Sequence, residues 1–262
     1  MILLLNKLRK VKYFLNASYL YSKYLLQKNR SEIKILNKDI FKNKRIIIIG
    51  PAETSMSYMS GKNIDKFDFI VRVNKSPLML KGKEGSIGSR TDILYHCFFE
   101  DSINGGGLID FIRLGDQKNK FIIYSYSEPS QEQIFLKTVL KYSGKTFFRV
   151  DKDFYKEIKK DYPAKWPTTG LQAILHLMDG DFKELHITGF TFFRTDYLSG
   201  YTSESINKSE ISRKQQIEKN GSHSYDGELS LFSKHYFKNR CKNIILDSFL
   251  HQLIIKSDSD EI

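Results

Sequence analysis

Short apolar runs rich in β-branched residues alternate along this chain with longer stretches of helical period, and turn residues separate them. Arg45–Ile49 is five residues closed by Gly50 and reads as a strand buried on both faces. Residues 67–73 (Phe-Asp-Phe-Ile-Val-Arg-Val) predict a second strand ending at Asn74, followed by strands at 92–95, 121–125 and 146–150. Residues 171–178 have helical period and lead to a strand at Glu184–Thr188 before Gly189. Residues 228–237 read as a helix and 243–246 as a last strand. Alternating strands and helices predict one α/β domain of Rossmann-like type around a mostly parallel sheet. Ligands of such sheets bind beyond the carboxyl ends of strands, so a site is expected just after Ile49, Val73 and Thr188.

The first stretch follows a different pattern. Leu4, Leu5, Leu8, Val11, Leu15, Tyr19 and Leu26 recur close to helical period, with Lys and Arg between them and Ser22 on the same face. We read 1–44 as a basic amphipathic arm, 45–255 as the α/β domain and 256–262 as an acidic tail. Charge sharpens this division. The 262 residues hold 42 Lys/Arg against 30 Asp/Glu, a net of +12. Between Met1 and Arg45, twelve Lys/Arg face only Glu32 and Asp39, so +10 of the total lies there and the rest nets +2. A nearly neutral body argues against nucleic acid, which wants basic residues across a folded face, and points to another anionic partner. Two readings of the arm stay open: a helix lying on an anionic membrane, or a helix packed onto the domain with its lysines in water. Residues 1–5 are too short for a signal-peptide core, and Lys7, Arg9, Lys10 and Lys12 interrupt any span. A cytoplasmic protein is expected, peripheral on the inner membrane face if the arm binds lipid. Cys97 and Cys241 are the only cysteines, which excludes a disulfide framework and a zinc cluster.

Several segments carry candidate chemistry. The turn Gly50-Pro51-Ala52-Glu53-Thr54-Ser55 follows a hydrophobic strand and would expose backbone N–H groups to a phosphate, although neither GxGxxG nor GxxxxGK[ST] is present. Gly61-Lys62-Asn63-Ile64-Asp65-Lys66-Phe67-Asp68-Phe69-Ile70-Val71-Arg72-Val73-Asn74 is more specific, and Gly88-Ser89-Arg90-Thr91 continues it. Pro167-Thr168-Thr169-Gly170 precedes the helix at 171–178, and Leu185-His186-Ile187-Thr188-Gly189-Phe190 closes that unit. His223 is followed five residues later by Glu228.

In these segments the sequence resembles the family 29 glycosyltransferases, the sialyltransferases, whose large, small and very short motifs occur here in the same order between Arg45 and Glu228. The resemblance implies a variant GT-A-type Rossmann-like fold. It implies a donor of cytidine monophosphate (CMP) linked to sialic acid or a related 2-keto sugar acid, transferred to a glycan hydroxyl with inversion and with no metal or other cofactor. His223 would be the general base, since an imidazole with pKa near 7 suits proton removal from the attacking hydroxyl, with Glu228 orienting local structure or capping the next helix. Gly50, Pro51 and Ala52 would line the nucleotide site, and Asn74 would bond ribose or phosphate. Thr168, Thr169 and Gly170 would hold the ribose or the sugar carboxylate, and Gly189 and Phe190 would complete the site. Tyr197 or Tyr201 would stand near the phosphate. Pro51 replaces the Asn usual in the family's turn, leaving that contact to Glu53, Thr54 or Ser55. The disulfide that joins the motifs in animal members has no counterpart, which fits a reduced setting.

Other readings are weighed beside this one. Asp151-Lys152-Asp153, Asp179-Gly180-Asp181 and Asp258-Ser259-Asp260 have the Asp-x-Asp form of metal-dependent glycosyltransferases. His96, His176 and His186 read as structural. The polar segment 199–222 reads as a mobile flap that limits hydrolysis. Within the class, transfer of 3-deoxy-manno-octulosonate or another nonulosonate in surface polysaccharide synthesis is the near alternative. Outside it stand a catalytically silent nucleotide- or glycan-binding protein and a peripheral membrane scaffold.

Overall fold

The computed structural model describes residues 2–27, 30–101, 106–109, 121–126, 128–142, 144–219 and 221–259. Eight strands, β1 (Glu32–Ile35), β2 (Arg45–Ile49), β3 (Phe69–Val73), β4 (Ile93–Tyr95), β5 (Phe121–Tyr124), β6 (Thr146–Arg149), β7 (Glu184–Thr188) and β8 (Ile244–Leu246), form a single sheet. Its order is β1-β6-β5-β4-β3-β2-β7-β8, and every pairing is parallel. From β2 the chain steps outward through β3, β4, β5 and β6, then returns to place β7 on the other side of β2. The carboxyl ends of β2 and β7 therefore form a topological switch point, where such sheets open a crevice.

The unbroken isoleucine run of β2 has a direct cause. Ile46 and Ile48 join the main core with Leu171, Ala173, Ile174 and Leu175, while Ile47 and Ile49 face a smaller core with Ile64, Phe67 and Ile70. A strand covered on both faces needs apolar side chains at every position rather than at alternate ones.

The helices are α1 (Ile2–Leu26), α2 (Gly61–Ile64), α3 (Glu84–Ile87), α4 (Pro129–Lys141), α5 (Lys152–Lys160), α6 (Thr169–Met178), α7 (Glu204–Asn207), α8 (Glu210–Glu218), α9 (Tyr225–Lys238) and α10 (Ser248–Ser259). Observed strand limits fall within two residues of those expected. The arm packs onto the domain, one of the two readings left open for it: residues 32–35 form the edge strand beside β6 and α1 packs along α4, with the Gln133 side chain donating to the Tyr13 carbonyl at 2.9 Å. Segment 199–222 carries α7 and α8 and is pinned by Arg213. That buried guanidinium donates to the carbonyls of Phe193, Arg194 and Asn207 and pairs with Asp196. Read along the chain, Arg213 is one more polar residue; its burial depends on contacts that sequence spacing does not contain. The acidic stretch begins inside α10, and 260–262 lie outside the described residues, as does Asn220 of the flap segment.

Much of the longest motif braces the fold. Asp65 accepts from the Ser89 N–H and hydroxyl, each at 2.9 Å. Arg72 is fully buried and donates to the Ile87 carbonyl. Arg90 bonds the Phe67 carbonyl and Asp92, which in turn accepts from the Ile70 N–H. These bonds clamp α2 and α3 to β3 and leave Asn74, at the strand's end, to face the crevice.

Candidate active site

Beyond the carboxyl ends of β2, β3 and β7 lies a cleft of about 570 Å³, a volume suited to a nucleotide-sized ligand. Asn74, Thr168, Thr169, Gly170, Gly189, Phe190, Tyr197, Tyr201, His223 and Glu228 all line it, as do Pro51 and Ala52. Five stretches that are separate in sequence thus meet in one place.

The turn after β2 plays a different part from the one expected. The N–H groups of Gly50, Ala52 and Glu53 already bond the carbonyls of Thr188, Gly189 and Asp196 at 2.8, 3.1 and 3.0 Å, and Pro51 has none. Pro51 and Ala52 are walls rather than phosphate donors. Gly50 is not in the lining; a side chain there would collide with the Gly189 carbonyl, so its glycine is required for β2 and β7 to close on one another. Glu53, Thr54 and Ser55 do not line the cleft either. Donors enter from α6 instead. Thr168 caps it, its Oγ1 accepting from the Leu171 N–H at 3.2 Å, while Thr169 and Gly170 are first-turn positions whose N–H groups have no partner within a helix.

His223 is placed by the segment that precedes α6. The Trp166 N–H donates to the Ser222 carbonyl at 3.1 Å, and Trp166 O lies 2.9 Å from His223 Nδ1. A carbonyl can only accept, so Nδ1 carries the proton and the lone pair of neutral His223 is on Nε2. In this tautomer Nε2 is the nitrogen that can accept a proton.

Glu228 is buried at the start of α9. It accepts from the Tyr162 hydroxyl at 2.6 Å, the Thr168 N–H at 2.9 Å and the Thr168 hydroxyl at 2.6 Å. The Ser224 N–H donates to the same Tyr162 oxygen at 2.7 Å, and Ser224 caps α9 through the Gly227 N–H at 3.0 Å. Burial raises the Glu228 pKa, against the opposing pull of His223 and these hydrogen bonds. Glu228 therefore ties the caps of α6 and α9 together.

Asn74 has φ +49°, a left-handed conformation that Asn tolerates better than most residues. Its Oδ1 accepts from the Cys97 N–H at 3.0 Å, and its side chain bonds the Tyr201 hydroxyl. The Tyr201 ring lies 5.2 Å from that of Tyr197, tilted by 33°, and the Tyr197 backbone bridges Ala52. Burial raises both phenol pKa values, so both serve as neutral hydrogen-bonding groups.

Sequence reading missed Lys75, the one Lys or Arg among the described lining residues. It is buried, with Nζ 5.6 Å from the Tyr201 ring centre, and burial lowers its pKa while Asp101 opposes that shift. It stands next to Asn74, so adjacency to the motif was the available signal. Trp166 was missed too, although it immediately precedes Pro167. Phe192 and Phe193, with φ of +48° and +69°, also line the wall; this backbone region is strained for bulky residues and concentrates at functional sites.

Two of the Asp-x-Asp pairs lie elsewhere: Asp151 caps α5, Asp179 pairs with Lys38, and neither these nor Asp153 and Asp181 line the cleft; Asp260 of the third pair lies outside the described residues. Among the described residues no group of His, Cys, Asp and Glu has the arrangement of a metal site. His96 accepts through Nδ1 from the Phe98 N–H at 2.9 Å, and His176 and His186 share hydrogen bonds through Nδ1 with the Tyr95 and Tyr58 hydroxyls, each at 2.6 Å; all three lie outside the cleft lining.

The architecture is that of the sialyltransferase fold. Cst-I, a monofunctional alpha-2,3-sialyltransferase from Campylobacter jejuni, has a similar structure with TM-score 0.52 and 16% identity, over 81% of this chain and 78% of that one. The sialyltransferase CstII from the same organism, in complex with the substrate analogue CMP-3FNeuAc, matches with TM-score 0.48 and 15% identity over 79% of this chain and 87% of that one. A mammalian sialyltransferase in complex with Gal-beta-1-3GalNAc-ortho-nitrophenol matches with TM-score 0.49 and 14% identity over 88% and 85%. At these identities the likeness is one of fold. No protein-family model and no curated protein matches the sequence.

Proposed function

We propose that this protein is an inverting glycosyltransferase that moves sialic acid, or a related 2-keto sugar acid, from its CMP-activated form to a glycan hydroxyl. The observation that carries this reading is the placement of His223 in the cleft, with Nδ1 held by the Trp166 carbonyl and the lone pair on Nε2. In the proposed reaction the acceptor hydroxyl gives its proton to His223 Nε2 as its oxygen bonds the anomeric carbon. The bond from that carbon to the phosphate oxygen breaks, and CMP departs with the electron pair. Only one phosphate leaves, so the developing charge is modest. Lys75, the tyrosine hydroxyls and the first N–H groups of α6 are suited to stabilise it without a cation bound by the chain. The donor's carboxylate and phosphate are both anionic, and a cleft holding one buried ammonium suits them.

Cst-I, whose fold this chain shares, is a sialyltransferase, and that supports the same class of donor here. CMP-sugars are cytoplasmic metabolites in the setting we propose, with precursors of surface glycans as acceptors.

The test is a thermal-shift and mass-spectrometric screen of cytidine, uridine and guanosine sugar nucleotides with a panel of glycan acceptors. CMP-sialic acid should stabilise the protein and release CMP with the saccharide product. His223→Ala should lower turnover by about 10²–10⁴-fold while leaving the CMP-induced thermal shift in place. Stabilisation by a uridine diphosphate sugar alone, or full turnover in His223→Ala, would overturn the assignment.

A further inference from the structure

The outer face of α1 is an apolar surface edged by positive charge, and we propose that it docks the protein on an anionic lipid bilayer. The helix has two apolar faces. The inner one holds Ala17, Leu20 and the buried Tyr24, which pack against the core, and the Gln133–Tyr13 bond fastens it to α4. This docking fixes the rotation of the helix, so the other face cannot turn inward.

At 100° per residue, Leu8, Val11, Phe14, Leu15, Tyr19, Leu25 and Leu26 fall within an arc of about 140°, interrupted between Leu8 and Leu26 only by Ser18 and Ser22. All seven are exposed, Leu15 and Tyr19 at 60% each. Apolar patches of this extent on a soluble domain mark an interaction surface. Arg9, Lys12 and Lys23 are exposed along one edge of the arc, and Lys23 Nζ lies 5.1 Å from the Tyr19 ring centre. Ile2–Leu26 contains no Asp or Glu. Among the described residues no helix is long and apolar enough to cross a membrane.

An apolar arc beside a row of cations is the pattern of a helix lying in the plane of a lipid interface. The arc enters the acyl boundary, and the lysines and arginine meet anionic headgroups. Charge selects this occupant. A second copy of the same face would bring like charges together, whereas an anionic bilayer neutralises them. The surface is separate from the cleft, so its test is independent of the proposed reaction.

The experiment is co-sedimentation of the full chain with vesicles of phosphatidylcholine alone or mixed with phosphatidylglycerol, with sedimentation velocity in the absence of lipid. The protein should bind the mixed vesicles, and binding should weaken at least about tenfold in the Lys12→Gln/Lys23→Gln double variant, given about 1 kcal/mol per basic residue. Leu15→Glu/Tyr19→Glu should abolish binding at an unchanged thermal midpoint, because both side chains are outside the core. Equal binding to phosphatidylcholine vesicles, retention by the folded Glu variant, or a dimer in solution that the Glu variant dissolves would each overturn the proposal.

Discussion

At the scale of single residues, the proposed reaction divides the cleft between His223, which would act, and Glu228, which holds. Glu228 accepts three hydrogen bonds from Tyr162 and Thr168, and the structure gives it no role in proton transfer. Glu228→Ala leaves those buried donors unpaired, each costing about 1–3 kcal/mol, and should destabilise the protein by about 3 kcal/mol or more in urea unfolding. Glu228→Gln keeps an acceptor for Tyr162 and the Thr168 N–H, and should cost only about 1 kcal/mol with turnover within a few-fold of the parent. A folded Glu228→Gln as slow as His223→Ala would make Glu228 a participant in the chemistry. Lys75 shows the same division from the other side. It is a buried cation in the cleft wall, and its neighbour Asn74 is held in place by Cys97 and Tyr201.

At the scale of elements, the site exists because β2 and β7 approach at their carboxyl ends. Gly189 has φ +73°, and a side chain there would come within 2.6 Å of the Gly50 carbonyl oxygen. Gly189→Ala must therefore part the two strand ends and should destabilise the protein by about 3 kcal/mol or more. Gly221 also has positive φ, +56°, but open space around it, so Gly221→Ala should cost only about 1 kcal/mol of backbone strain. Equal urea midpoints for the two variants would show that the strand contact is dispensable.

At the scale of the whole molecule, buried imidazoles couple stability to acidity. Burial lowers His96 to about 4 and His176 to about 3 from an ordinary 6.5. A histidine whose folded pKa is depressed is neutral in the folded state while the unfolded chain binds protons, so its contribution is full above pH 6.5 and is lost as pH falls toward the folded value. For His96 the loss by pH 4 is about 3 kcal/mol. Glu228 acts with the opposite sign, since its raised pKa favours the fold at low pH and that contribution fades as pH rises above 4.5. The histidines outnumber it, so the thermal midpoint should fall steeply between pH 6 and 4. His176→Gln, which keeps a hydrogen-bonding group for the Tyr95 hydroxyl, should flatten that fall. An unchanged slope would mean that His176 is not a source of it. The same burial explains what could be read beforehand. Local patterns were sufficient for seven of the eight strands and for the helix at 171–178, because hydrophobic period and turn chemistry act over a few residues; β1 was missed, and the segments around Asn74, Thr168–Gly170 and His223 were singled out by the family resemblance. Tertiary structure alone decided that Gly50 packs against Gly189, that the N–H groups of its turn are taken by β7 and its following loop, that Lys75 and Arg213 are buried, and that α1 shows a second apolar face to solvent. Each of these depends on which distant segments meet, and that is a property of sheet order, which spacing along the chain does not encode.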